Sequence, residues 1–246
     1  MIVLKAIILT LITLLPGILI MKLGSINKFN FKFLLIFSGA FLLSITILHI
    51  LPDIFYQSGA TFKISLFVLI GVFVQMTLES FTSGIEHGHW HDHGIKNRST
   101  AFPYGLTIAL CLHSLLEGAI LSQDGHSHGH GMYDSLLIGI AVHKIPAAVA
   151  LVSVLMSEIK NSKITLTILA IFAISSPIGM LLSEYLQNSN VILDNSFDVI
   201  MALAAGSFIY ISATILFEAR QDHKIKLGNI VPALIGALSA ILIEVL

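Results

Sequence analysis

Eight apolar stretches separated by short polar connections run the length of this chain, near residues 2–22, 32–54, 62–84, 101–123, 134–157, 164–186, 197–219 and 227–245. A helix that crosses a bilayer needs about 20 predominantly apolar residues, and each stretch meets or approaches that length. The pattern predicts an all-α, polytopic membrane helical bundle. Its connections leave no room for a second folded unit, so residues 1–246 read as one transmembrane domain with a histidine-rich loop at about 85–100. The first stretch reads as a retained span. Lys5 is a weak basic flank, no small-residue cleavage site follows, and the run exceeds the roughly 7–15 apolar residues of a signal core.

Composition supports this reading. Mean hydropathy is +0.92 and only 11% of residues are charged, against about 25% in soluble domains. The single cysteine, Cys111, excludes an intramolecular disulfide and a cysteine-rich zinc module, and reads as a small packed side chain. The distribution of basic residues says more than the net charge of −1. If the N-terminus faces outside, the inner side carries Lys22, Lys28, Lys32, Lys96, Arg98, Lys160, Lys163, Arg220, Lys224 and Lys226. The outer side carries only Lys5 and Lys63. That positive-inside bias predicts an outward N-terminus. The outer connections hold Asp53, Asp124, Asp134, Asp194 and Asp198, a mildly negative rim for an arriving cation.

Candidate chemistry concentrates on segments four and five, in His113-Ser-Leu-Leu-Glu117-Gly and His143-Lys144-Ile-Pro146. Ionisable side chains at mid-membrane are expensive and by default mark function. His113 and Glu117 are four residues apart and share one helical face. His143 lies nine residues into the next, antiparallel segment, so three metal-ligating side chains converge. Imidazole suits zinc and other late divalent metals, and carboxylate widens the choice to iron and manganese. Three protein ligands with room for water make a labile site rather than a closed structural one. Lys144 points about 100° away from His143 around the helix. While protonated it cannot bind a metal. It reads as a fixed positive charge beside the site. The competing reading is a Glu117–Lys144 ion pair flanked by two packed histidines, although buried pairs seldom repay their desolvation. Pro146 frees a backbone carbonyl one turn earlier.

Nine of the eleven histidines lie between residues 87 and 143. His87, His89, His91 and His93 sit in the inner loop after segment three, and His126, His128 and His130 in the outer loop after segment four. Alternating His and Gly is a compositional sign of metal binding. Weak metal capture and a polar linker both fit these loops.

These residues together resemble the Zrt/Irt-like (ZIP) family of divalent-metal transporters. Leu48-His49-Ile50-Leu51-Pro52-Asp53 is similar to the family's Leu-His-Leu-Leu-Pro-Glu pattern, and Gly206-Ser-Phe-Ile-Tyr210 to its Gly-Thr-Phe-Leu-Tyr. The resemblance covers essentially the whole chain. It implies eight transmembrane helices in a 3+2+3 arrangement with inverted repeats, the first and last three spans surrounding segments four and five. Pro16 and Gly17 interrupting segment one, as Pro177 and Gly179 interrupt segment six, would suit such repeats.

By the same resemblance, His113, Glu117 and His143 form a single transport site, with the metal as cargo and no catalytic cofactor. Zinc comes first, with iron, manganese and cadmium as alternatives. Ser114 takes a position that is Asn in many relatives and binds a second metal there. Lys144 and Ala147 replace acidic ligands, which argues against a second metal here. Leu116 stands where the family's segment-four motif has Pro. Glu79 and Glu218 would relay the ion inward, or are snorkelled interfacial carboxylates. His49 and Asp53 would guide its approach from outside, or make helix-end hydrogen bonds. The protein is then an integral inner- or plasma-membrane transporter. Its partners are divalent metal ions and the bilayer, with a second copy of the chain allowed and nucleic acid excluded.

Two rivals are weaker. A cation-diffusion zinc exporter would show six spans and a soluble C-terminal domain. An intramembrane zinc hydrolase would need a motif such as His-Glu-x-x-His, which is absent. No phosphate-binding P-loop is present to support ATP-driven pumping.

Overall fold

Each apolar stretch forms helix. The computed structural model describes residues 2–24, 28–59, 61–82, 102–122, 131–188, 196–218 and 227–245. The helices are α1 (Ile2–Leu23), α2 (Lys28–Ile45), α3 (Leu51–Ser58), α4 (Thr61–Thr82), α5 (Phe102–Ile120), α6 (Gly131–Glu158), α7 (Ser162–Asn188), α8 (Ser196–Glu218) and α9 (Leu227–Val245). There is no strand among the described residues. Among the described residues, seven helical stretches are long and apolar enough to cross a membrane, with α2 and α3 counting as one from Phe31 to Tyr56. The apolar part of α9, Gly228–Ile243, is shorter.

The burial pattern is that of a membrane protein. Val3 and Phe62 are 72% and 83% exposed, whereas Glu117 and Lys144 are 1% exposed. Apolar side chains facing outward cost nothing against lipid, and the polar ones find partners inside. Many buried hydroxyls return to their own helix, as Thr13 does to Leu9 O at 2.7 Å and Thr46 to Leu42 O at 2.7 Å.

Between α2 and α3 the helix widens into one π-turn, Thr46–Ile50, closed by Leu51 N–H on Thr46 O. Pro52 explains it. Its ring would clash with the carbonyl of residue 48 in a regular α-helix, and the wider turn relieves that. The turn carries His49. In contrast, Pro16 and Pro177 do not interrupt their helices as the sequence led us to expect. α1 and α7 run through them as continuous helix. The α6–α7 connection is tight. Lys160 adopts a left-handed φ of 53°, and Asn161 Oδ1 caps α7 by accepting from the N–H groups of Lys163 and Ile164 at 3.0 and 3.2 Å.

Two helix groups meet at the site. One core joins α1, α5, α6 and α7 through Ile20, Leu110, Leu151, Leu169 and Phe172. A second brings α2, α3, α4, α8 and α9 together through Phe41, Ile54, Ile64, Phe208 and Ala240, and takes in Leu9, Ile120, Ile140 and Met180 from the first group where the two meet. Helices α5 and α7 are pressed backbone to backbone. A Cβ at Gly118 would overlap Ser176 O, and one at Gly179 would overlap Leu115 O. That close approach brings Ser114 within reach of Ser176.

Candidate metal centre

His113 and Glu117 lie one turn apart on α5, and α6 brings His143 against them. All three are buried, and their ligand atoms lie within 4.8 Å of one another. They are the one such cluster among the described residues. His113 Nε2 and Glu117 Oε1 are 3.2 Å apart, and neither makes a hydrogen bond of good geometry. The two imidazoles meet edge to face with centroids 6.0 Å apart. Ligand bonds of about 2.0–2.1 Å in a tetrahedral shell put neighbouring ligand atoms roughly 3.3–3.5 Å apart. The His113–Glu117 edge therefore already has coordination spacing. The widest separation must close by about 1.4 Å around an ion of that geometry.

Lys144 reaches the same carboxylate from its other side. Nζ donates to Glu117 Oε2 at 2.6 Å and to Ser114 Oγ at 2.8 Å. It also stands over the Phe172 ring, 5.1 Å from the centroid. Ser176 spends its hydroxyl hydrogen on Ser114 O at 2.7 Å. Ser114 must then be the donor in the 2.9 Å contact with Ser176 Oγ, which leaves its own oxygen to accept from Lys144. The cation is fixed by three side chains, two on α5 and one on α7. The Glu117–Lys144 ion pair is formed, and it stands beside three side chains that could hold a metal. Glu117 is divided between the two, Oε2 to Lys144 and Oε1 to the histidines.

The remaining predicted residues lie elsewhere. His49 is half-buried in the π-turn, and Asp53 is in the first turn of α3. Asp198, at the start of α8, interacts electrostatically with Asp53 and Lys63. Glu79 is half-buried on α4. Glu218 closes α8, but its side chain lies outside the described residues, as do His87, His89, His91, His93, His126, His128 and His130. None of the described ones joins the cluster. Cys111 is a half-buried free thiol.

Four contributing residues were not singled out as functional from the sequence. Ser176 and Phe172 steady Lys144. Ser207 Oγ lies 3.2 Å from His113 Nδ1 and donates to Gln75 Oε1 at 2.8 Å. Gln75 is the one amide in α4, and that isolation in an apolar span was its only signal.

The sequence profile described as "ZIP Zinc transporter" matches residues 92–244, more than half of the chain. A curated relative, "Protein zntD" of Dictyostelium discoideum, is 32% identical over 149 residues. The match covers 57% of this chain and 21% of that protein, so the chain spans about a fifth of its relative's length.

Proposed function

The chain belongs to the ZIP zinc transporter family, a family of membrane metal transporters, and from that premise we propose that it carries zinc into the cytoplasm through a single mid-membrane site made by His113, Glu117 and His143. Iron, manganese and cadmium are the alternative cargoes, because a mixed imidazole and carboxylate set accepts them too. The observation that carries the reading is the division of Glu117. One oxygen faces the histidines and the other is held by a fixed ammonium.

The residues act as follows. An ion arriving from outside passes the Asp53 and Asp198 rim and exchanges water for two imidazoles and Glu117 Oε1. Lys144 keeps Glu117 Oε2 and fills the position where another relative would place a second cation. Its charge also weakens binding, which favours release. His49 and Asp53 guide the ion in, Glu79 and Glu218 relay it out, and the histidine loops concentrate it. α9 serves as the eighth span, and residues 1–246 form one transporter domain with an outward N-terminus, supported by the distribution of basic residues.

The 3+2+3 inverted repeat is supported by the pattern of packing. If spans one, two and three correspond to six, seven and eight, and four to five, then α5 on α7 corresponds to α6 on α1. Likewise α4 on α8 corresponds to α9 on α2. All four pairs are extensive interfaces.

The test is zinc uptake into vesicles containing purified protein, followed by a trapped fluorescent chelator. Uptake needs no ATP, and His113→Ala or Glu117→Ala abolishes it. Normal uptake by both variants would refute the site.

A further inference from the structure

We infer that Ser207 and Gln75 set the tautomer of His113, and so act as positioning residues for metal binding contributed by the helix group opposite the ligands. The inference rests on the site proposed above. An imidazole can ligate through Nε2 only if that atom keeps its lone pair, which requires the proton on Nδ1 in the neutral ring. What the other nitrogen bonds to therefore decides whether a histidine is ready to bind.

The hydrogen bonds run one way. Ser207 has one hydroxyl hydrogen and donates it to Gln75 Oε1 at 2.8 Å. Its oxygen then meets His113 Nδ1, 3.2 Å away, as an acceptor. Nδ1 then carries a proton, and in the neutral ring Nε2 keeps its lone pair for an ion held between His113, Glu117 Oε1 and His143. Among the described residues, Ser207 Oγ meets only these two groups. Gln75 is 1% exposed and Ser207 2%, so water does not replace either partner. Phe208, next to Ser207, packs edge to face on the His113 ring with centroids 6.3 Å apart and limits its rotation. The position of Ser207 is set by the backbone, since at its neighbour Gly206 a Cβ would overlap Val68 O of α4.

The consequence is coupling. His113 stands on α5, while Ser207 and Gln75 stand on α8 and α4. Metal affinity at the ligand cluster thus depends on the two helix groups being docked, and a displacement that parts His113 from Ser207 lowers it.

The test uses the full-length protein in detergent, with the seven loop histidines replaced by Ser in every sample. Zinc affinity is measured by chelator competition, and ring 15N shifts of labelled histidine are read with zinc bound. His113→Ala identifies the His113 signals. Ser207→Ala and Gln75→Leu should each weaken zinc binding by about 10- to 100-fold, the usual effect of losing a ligand's outer partner. The Nδ1–H, Nε2-metal signature of His113 should be lost or mixed. Ser207→Thr keeps the hydroxyl and should restore both affinity and signature, which separates positioning from a folding defect. If His113→Ala loses zinc while Ser207→Ala and Gln75→Leu bind normally with an unchanged signature, the inference fails and the site stands. If Ser207→Thr is as impaired as Ser207→Ala, the effect is packing and the inference also fails. If His113→Ala binds zinc normally, the site proposal fails and takes this inference with it.

Discussion

Replacing Lys144 by Met removes the ammonium while keeping an unbranched side chain of similar length. Two effects oppose each other. Without metal, Glu117 loses the partner 2.6 Å from Oε2, and breaking a buried pair costs about 3–5 kcal/mol. With metal, Glu117 has the ion as its counter-charge, and the repulsion between ion and ammonium is gone. An ion bonded to Oε1 sits about 5 Å from Nζ, where a double and a single charge repel by about 7 kcal/mol at an effective dielectric constant of 20. Even a fifth of that is a tenfold change in affinity, since about 1.4 kcal/mol is tenfold. Lys144→Met should therefore bind zinc at least tenfold more tightly, show a lower melting temperature without zinc and a larger zinc-induced rise. Uptake should slow, because release becomes limiting. Chelator competition, thermal melts with and without zinc, and vesicle uptake measure all three. Unchanged or weaker zinc binding would refute the reasoning, because the ammonium would then not be a fixed charge beside the ion.

Other outcomes follow from packing and topology. Gly118→Ala or Gly179→Ala drives a Cβ into a backbone oxygen of the partner helix. Each should cost about 1–3 kcal/mol and disable uptake. Gly105→Ala, whose added Cβ would meet only Phe81 O at 3.9 Å, should melt and transport normally. Pro52→Ala should let the π-turn revert to α-helix and swing His49 by about 100°, raising the zinc KM of uptake with little change in kcat if His49 guides the ion. In a Cys111→Ala background, Lys160→Cys should react with an impermeant maleimide only from the cytoplasmic side and Lys63→Cys only from outside. The reverse would invert the proposed orientation.

Seven of the eight spans were legible among the described residues, because a bilayer demands about 20 apolar residues whatever the tertiary contacts. The convergence of His113, Glu117 and His143 was legible because such side chains are costly in that setting and spaced to meet. What the sequence concealed is neutral or depends on reach. Ser207 and Gln75 carry no charge, so their signal in an apolar span is faint. Lys144 leaves its helix about 100° from His143, yet its long stem brings Nζ back onto Glu117. The π-turn at His49 needed backbone geometry to be seen, although Pro52 is its cause. Pro16 and Pro177 mark no break: α1 and α7 continue as helix through both.

X-ray absorption on the zinc-loaded protein, with the seven loop histidines replaced by Ser, tests most directly whether one ion sits on His113, Glu117 and His143. One zinc per chain should be found, in a nitrogen and oxygen shell with two imidazoles and no sulfur, and His143→Ala should lose one imidazole. The same shell and stoichiometry in both His113→Ala and His143→Ala would contradict the site.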